Sequence, residues 1–158
     1  MLDLLRELWV MRGYKRVKVV EKAKRAEAFN VTTLIQPLTP EQVFQWVCRN
    51  IKFQRENRDY WQTPIETIRR GVGDCEDGAI LLASLFNSVL PRSERWRVFV
   101  VIFEEPAHAV VVYRDKVYDW TQKRVFPLAE CKNWKLWYMF NFRHAYTTKE
   151  NVKKWQKQ

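Results

Sequence analysis

A chain of 158 residues, 47% apolar by type and 15% aromatic, can bury one ordinary core, which excludes intrinsic disorder. Its longest unbroken apolar run is the six residues Val98 to Phe103, against the roughly 20 a membrane-spanning helix requires, so neither a span nor a membrane partner is expected. The net charge of +10 is uneven: residues 1–30 carry +4, 31–72 carry +2, 73–121 carry −3 and 122–158 carry +7, so the basic excess belongs to the ends and not to the centre.

In chain order, residues 2–12 and 19–29 permit helices, separated by Gly13. Thr39-Pro-Glu-Gln42 is a stronger start signal, with Thr as N-cap, Pro at the first helical position and Gln reaching back to the cap. Val43, Val47 and Ile51 then share a face, which predicts a buried helix to about Ile51. Thr63-Pro-Ile-Glu66 repeats the signature, and Gly71 and Gly73 end that short helix. From Cys75 to Leu90, Ala79, Leu82, Phe86 and Val89 form a stripe widened by Ile80, Leu81, Ala83 and Leu85, which predicts a helix buried on most sides and stopped by Pro91. Segments 96–103, 108–113 and 116–121 read as consecutive antiparallel strands. The aromatic segment 132–142 reads as a further strand or a covering segment, and 147–158 as a basic tail.

Helices first and strands after favour an α+β fold, a buried helix packed on an antiparallel sheet. The expected organisation is one domain, with an arm at 1–38, a core at 39–125 and a covering segment with tail at 126–158. Cys48, Cys75 and Cys131 are odd in number and lack a Cys-x-x-Cys spacing, and no export signal is readable at the start. The expectation is a reducing, cytoplasmic setting without disulfides.

Cysteine chemistry needs a thiolate, a base for the thiol proton and a group that orients the base. Gly73-Asp-Cys-Glu-Asp77 puts Cys75 at the start of the buried helix, where the dipole and free amides favour a thiolate and then an oxyanion. His108 opens one predicted strand and Asp119 lies in the next. Taken alone, Cys75 would read as a small buried hydrophobe; with His108 and Asp119 in order it reads as a nucleophile. Asp74, Glu76 and Asp77 complement the helix dipole but oppose a thiolate, so a charged His108 would have to compensate and one carboxylate would turn away to cap the helix or bind an upstream Arg. The same acids with His108 make a poor metal site, because adjacent helical residues diverge; no metal or cofactor is expected. Cys48 reads as core, Cys131 as structural or surface, and His144 as surface.

Three segments together resemble a known family: Tyr60-Trp-Gln-Thr-Pro-Ile-Glu-Thr67, then Gly73-Asp-Cys-Glu-Asp-Gly-Ala-Ile-Leu-Leu-Ala-Ser-Leu85, then His108-Ala-Val-Val-Val-Tyr113 with Tyr118-Asp-Trp-Thr121. The combination resembles the transglutaminase-like cysteine enzymes, including their bacterial cysteine-protease branch, over about residues 39 to 125. That resemblance implies a papain-like core, with Cys75 as nucleophile, His108 as general base and acid, and Asp119 orienting the imidazole. It also implies an upstream oxyanion donor, for which Trp61 and Gln62 are both candidates. The activity implied is acyl transfer from a peptide or glutamine amide of a peptide or protein substrate, to water or to an amine. The competing reading is a noncatalytic protein of the same fold whose basic ends bind an acidic partner or nucleic acid.

The hairpin after His108 tests the triad, because a one-residue slip turns every side chain to the other face. A turn centred between Arg114 and Asp115 pairs Val112 with Val117 and Val110 with Asp119, placing Asp119 diagonal to His108 on one face. An odd loop would separate them. Val110, Val112 and Val117 share that face and are expected to cover the Cys75 helix.

Overall fold

Thr39 opens the first helix: its hydroxyl accepts the Gln42 amide at 3.2 Å while the Gln42 side chain accepts the Thr39 amide at 2.9 Å. In the computed structural model, which describes residues 14–17, 39–57 and 60–148, that capping box starts α1, Pro40–Asn50, whose buried face carries Val43, Phe44, Val47 and Cys48. Thr63 and Glu66 close a second box ahead of α2, Pro64–Arg70, which ends at Gly71 with φ 64°, a left-handed position that glycine adopts without a Cβ penalty. Asp74 and Asp77 close a third before α3, Cys75–Val89. The predicted helix starts and stops therefore hold to within a residue or two. Each is set by side chains close in sequence to the backbone they cap. The expected helices at 2–12 and 19–29 lie outside the described residues.

Seven strands form one antiparallel sheet. In chain order they are β1 (Tyr14–Val17), β4 (Val98–Glu105), β5 (His108–Tyr113), β6 (Lys116–Asp119), β7 (Arg124–Pro127), β8 (Lys135–Phe140) and β9 (Ala145–Thr148), laid side by side as β1-β9-β8-β4-β5-β6-β7. Two short strands, β2 (Lys52–Phe53) and β3 (Val72–Gly73), pair in parallel beside the start of α3. The architecture is α+β, with α3 packed on the sheet. Residues 132–142 supply β8, a strand within the sheet, and the expected tail from 147 begins inside β9. Among the described residues no helix is long and apolar enough to cross a membrane.

The β5–β6 hairpin has the register its even loop requires: Tyr113 pairs with Lys116, Val112 with Val117 and Val111 with Tyr118. Arg114 takes φ 55° in the two-residue turn. The face facing α3 differs from expectation, however. Ala109, Val111, Tyr118 and Trp120 pack with Leu81, Leu82, Leu85 and Phe86 of α3. Val110, Val112 and Val117 lie on the reverse face with Phe126, Leu128, Cys131 and Met139. Both faces of the sheet are buried, so both sets of alternate positions are apolar. Period-two patterning then fixes which residues share a face without telling which face meets the helix.

Candidate active site

Cys75 is the first residue of α3, and the chain before it is pinned from two sides. Asp77 is fully buried, and its carboxylate accepts the Gln62 amide at 2.7 Å and the Asp74 amide at 3.1 Å, tying the loop before α2 to the helix start. A Cβ on Gly73 would stand 2.7 Å from the Asp77 Cβ, so this approach needs glycine. On the other side, the Trp120 ring lies against Gly78, where a Cβ would come within 2.0 Å of it. The same indole donates from Nε1 to the Cys75 carbonyl at 3.1 Å. Trp120 thus fixes the nucleophile candidate to the chain segment that carries Asp119.

His108 and Asp119 meet as the register requires, with His108 Nε2 2.7 Å from Asp119 Oδ2. Asp119 is fully buried. Its other oxygen accepts the Thr121 hydroxyl at 2.8 Å, the Thr121 amide at 3.1 Å and the Gln122 amide at 3.2 Å. Burial works against its ionised form, but the hydrogen bonds from His108, Thr121 and Gln122 outweigh it and hold the carboxyl below its usual range. Trp134 presents its ring to His108 at 6.4 Å between centroids. With Nε2 taken by Asp119, the imidazole has Nδ1 left for a second partner.

A cleft of about 560 Å³ is lined by Phe53, Arg55, Asp74, Cys75, Glu76, Ala107, His108 and Thr121. Cys75 and His108 therefore share one opening, but they do not meet across the α3-facing side of the sheet. His108 opens β5, so the start of α3 reaches it around the end of that strand, and the Ala109 amide hydrogen-bonds the Cys75 sulfur.

Electrostatically, burial and the neighbouring acids work against the thiolate that the start of α3 favours. The Cys75 thiol donates to Glu76 Oε2 at 3.0 Å. Burial, followed by the charge of Glu76, pushes its pKa well above the ordinary thiol range. Forming a thiolate there is opposed by burial and by Glu76, so it calls for a base. Burial likewise raises the Glu76 carboxyl, and burial pushes Asp77 up to about 7 against the hydrogen bond from Gln62.

Trp61 and Gln62 lie elsewhere. Trp61, 4% exposed, stacks on Phe140 with centroids 5.8 Å apart. Gln62, 1% exposed, donates its side-chain amide to Glu56 at 2.8 Å, while its Oε1 is buried without a partner. Neither lines the cleft. Gln62 instead borders three carboxylates: Glu56, Asp74 and Asp77 bring one oxygen each within 4.8 Å of one another. Glu56 escapes sequence reasoning because it stands in a loop outside the Cys75 motif, and no local spacing links it to Asp74. Cys48 and Cys131 are buried free thiols. His144, expected at the surface, is half-buried against Tyr146 because its loop folds back onto Asn141.

Compared with known protein families the sequence matches none, and no curated protein matches it either. Solved structures do match. LapG from Legionella pneumophila superimposes with a TM-score of 0.61 at 21% identity, over 75% of this chain and 74% of LapG. The EGTA-treated form gives 0.60 at 20% identity over the same shares, and the calcium-bound form 0.57 at 18% over 92% and 87%. This chain has the fold of LapG. LapG is a bacterial transglutaminase-like cysteine protease, and the α+β architecture described above is accordingly a transglutaminase-like core. At these identities the likeness to LapG concerns the fold.

Proposed function

We propose that this protein is a cysteine protease that hydrolyses peptide bonds through Cys75, His108 and Asp119. The observation that carries the reading is the 2.7 Å pair between His108 and a fully buried Asp119, opening into the cleft that also holds Cys75. His108 Nδ1 takes the thiol proton, which breaks the hydrogen bond to Glu76, and the sulfur attacks the scissile carbonyl. Asp119 stabilises the imidazolium that forms. The Cys75 backbone N–H, one of the unpaired donors of the first helical turn, faces the developing oxyanion. The imidazolium then protonates the departing amine and leaves a thioester. His108 removes a proton from the water that cleaves it, releasing the acid and restoring the thiol. LapG, which has this fold, is a cysteine protease, and that neighbour favours hydrolysis over amine transfer.

The test is a diverse peptide library read by mass spectrometry for new N-termini. Cys75→Ala and His108→Ala should each lower turnover by about 10³-fold or more, because members of one catalytic unit fail together. Substantial cleavage by Cys75→Ala would refute the assignment, and amine adducts at glutamine in place of new N-termini would move the reading to transfer.

We also propose that Glu56, Asp74 and Asp77 hold a calcium ion. The donors are hard carboxylate oxygens, which suit Ca²⁺, and the unpartnered Gln62 Oε1 lies beside them. LapG itself has been solved calcium-bound. An ion there would supply positive charge that relieves repulsion among the carboxylates at the start of α3. Titration calorimetry should detect calcium binding to the wild type and lose it in Glu56→Gln; equal heats for both would contradict the site.

A further inference from the structure

β2 runs beside the segment that leads into Cys75. Phe53 pairs with Gly73, and the Gln54 amide donates to the Gly73 carbonyl at 2.9 Å. Residues 52–55 are thereby laid along the cleft, and two of their side chains, Phe53 and Arg55, line it. Phe53 is 52% exposed, a large ring left out of the core. It tilts against Trp120 with centroids 6.3 Å apart, the same indole that hydrogen-bonds the Cys75 carbonyl. Arg55 is exposed and pairs with no carboxylate among the described residues, as is true of Arg49, Arg69, Arg92, Arg95 and Arg143, but of these arginines it is the one that lines the cleft. The carboxylates that share the cleft are otherwise engaged: Asp74 accepts the Asp77 amide and Glu76 accepts the Cys75 thiol.

We propose that Phe53 and Arg55 are specificity-determining residues, selecting an extended peptide with an apolar and an acidic side chain two residues apart. The inference rests on the protease reading and names its substrate class. An extended chain rises about 3.3 Å per residue and points alternate side chains the same way. A substrate strand lying along β2 therefore presents side chains at the spacing of Phe53 and Arg55. The apolar side chain covers the exposed ring, and the acidic one meets Arg55, the one guanidinium among the described residues lining the cleft.

The probes are fluorescein-labelled decapeptides containing Leu-Ala-Glu, Leu-Ala-Lys or Ala-Ala-Glu, each also in reversed order. Their binding is measured by anisotropy on Cys75→Ala, and kcat/KM on the wild type. The Leu-Ala-Glu peptide in its better order should bind about fivefold tighter than its lysine counterpart, the scale of an exposed ion pair. Arg55→Glu should reverse that preference. Phe53→Ala should erase the advantage of leucine over alanine. Failure of all the peptides to bind Cys75→Ala, equal affinities, a lysine preference, or a glutamate preference that survives Arg55→Glu would each overturn the proposal. A wild type that binds the Leu-Ala-Glu peptide tightly yet leaves it uncut would refute hydrolysis instead and leave the recognition standing.

Discussion

Four hydrogen bonds converge on the carboxylate of Asp119, from His108, the Thr121 hydroxyl and the amides of Thr121 and Gln122. Because they hold its carboxyl below the ordinary range, the ionised group stabilises the fold above its unfolded pKa of about 3.9, and that contribution is lost as pH falls through the lower folded value. Thr121→Val deletes the hydroxyl donor and keeps the amide. It should cost about 1.5 kcal/mol at pH 7, and the difference from wild type should shrink towards zero near pH 2; urea denaturation at both pH values measures it, and an equal difference at both would contradict the argument. The three residues of the proposed triad could be named from the sequence because Cys75, His108 and Asp119 stand in that order within segments that resemble a known family. The partners that tune them could not. Glu76 was readable as an acid near the thiol, but its hydrogen bond to Cys75 is a matter of rotamer and burial, and these arise only in the assembled fold. Gln62 shows the converse: its polar side chain suggested an oxyanion donor, yet its amide is spent on Glu56.

At the level of elements, the contact between α3 and the segment after β6 is made without a side chain on the helix. Gly78 lets the Trp120 ring lie against the backbone, and a Cβ there would come within 2.0 Å of it. Gly78→Ala should therefore force the indole away from the Cys75 carbonyl and destabilise the protein by about 2–3 kcal/mol, despite the better helix propensity of alanine. Thermal unfolding measures the effect; an unchanged or raised Tm would show that the close approach is not needed. The helices were readable because capping boxes and an apolar stripe are local. β7 and β9 were not, since Arg124–Pro127 and Ala145–Thr148 are four residues each and owe their strand state to pairing with β6 and β8. The hairpin register followed from loop parity, whereas the face that α3 covers did not, because the two faces are equally apolar.

In the whole molecule, the sheet order brings the start of β5, the start of α3 and the residues after β6 to one place. That convergence brings residues 33 and 44 positions beyond Cys75 in sequence to the same end of the fold. It was legible as an α+β fold with a helix on a sheet, while the full strand order depends on long-range pairings that no local pattern encodes. The basic excess of the two ends is divided between residues inside and outside the described ones, +6 and +5, and the acidic centre holds the candidate site. The proposed catalysis rests on Cys75 being a nucleophile activated by His108. Its most direct measurement is the rate of alkylation by iodoacetamide at pH 7.5, mapped to each cysteine by mass spectrometry in the wild type and in His108→Ala. Cys75 should react well ahead of the buried Cys48 and Cys131, and its rate should fall by about tenfold or more in His108→Ala, because only the thiolate reacts and burial and Glu76 disfavour it when no base is at hand. A Cys75 no faster than the other two, or one indifferent to the loss of His108, would contradict it.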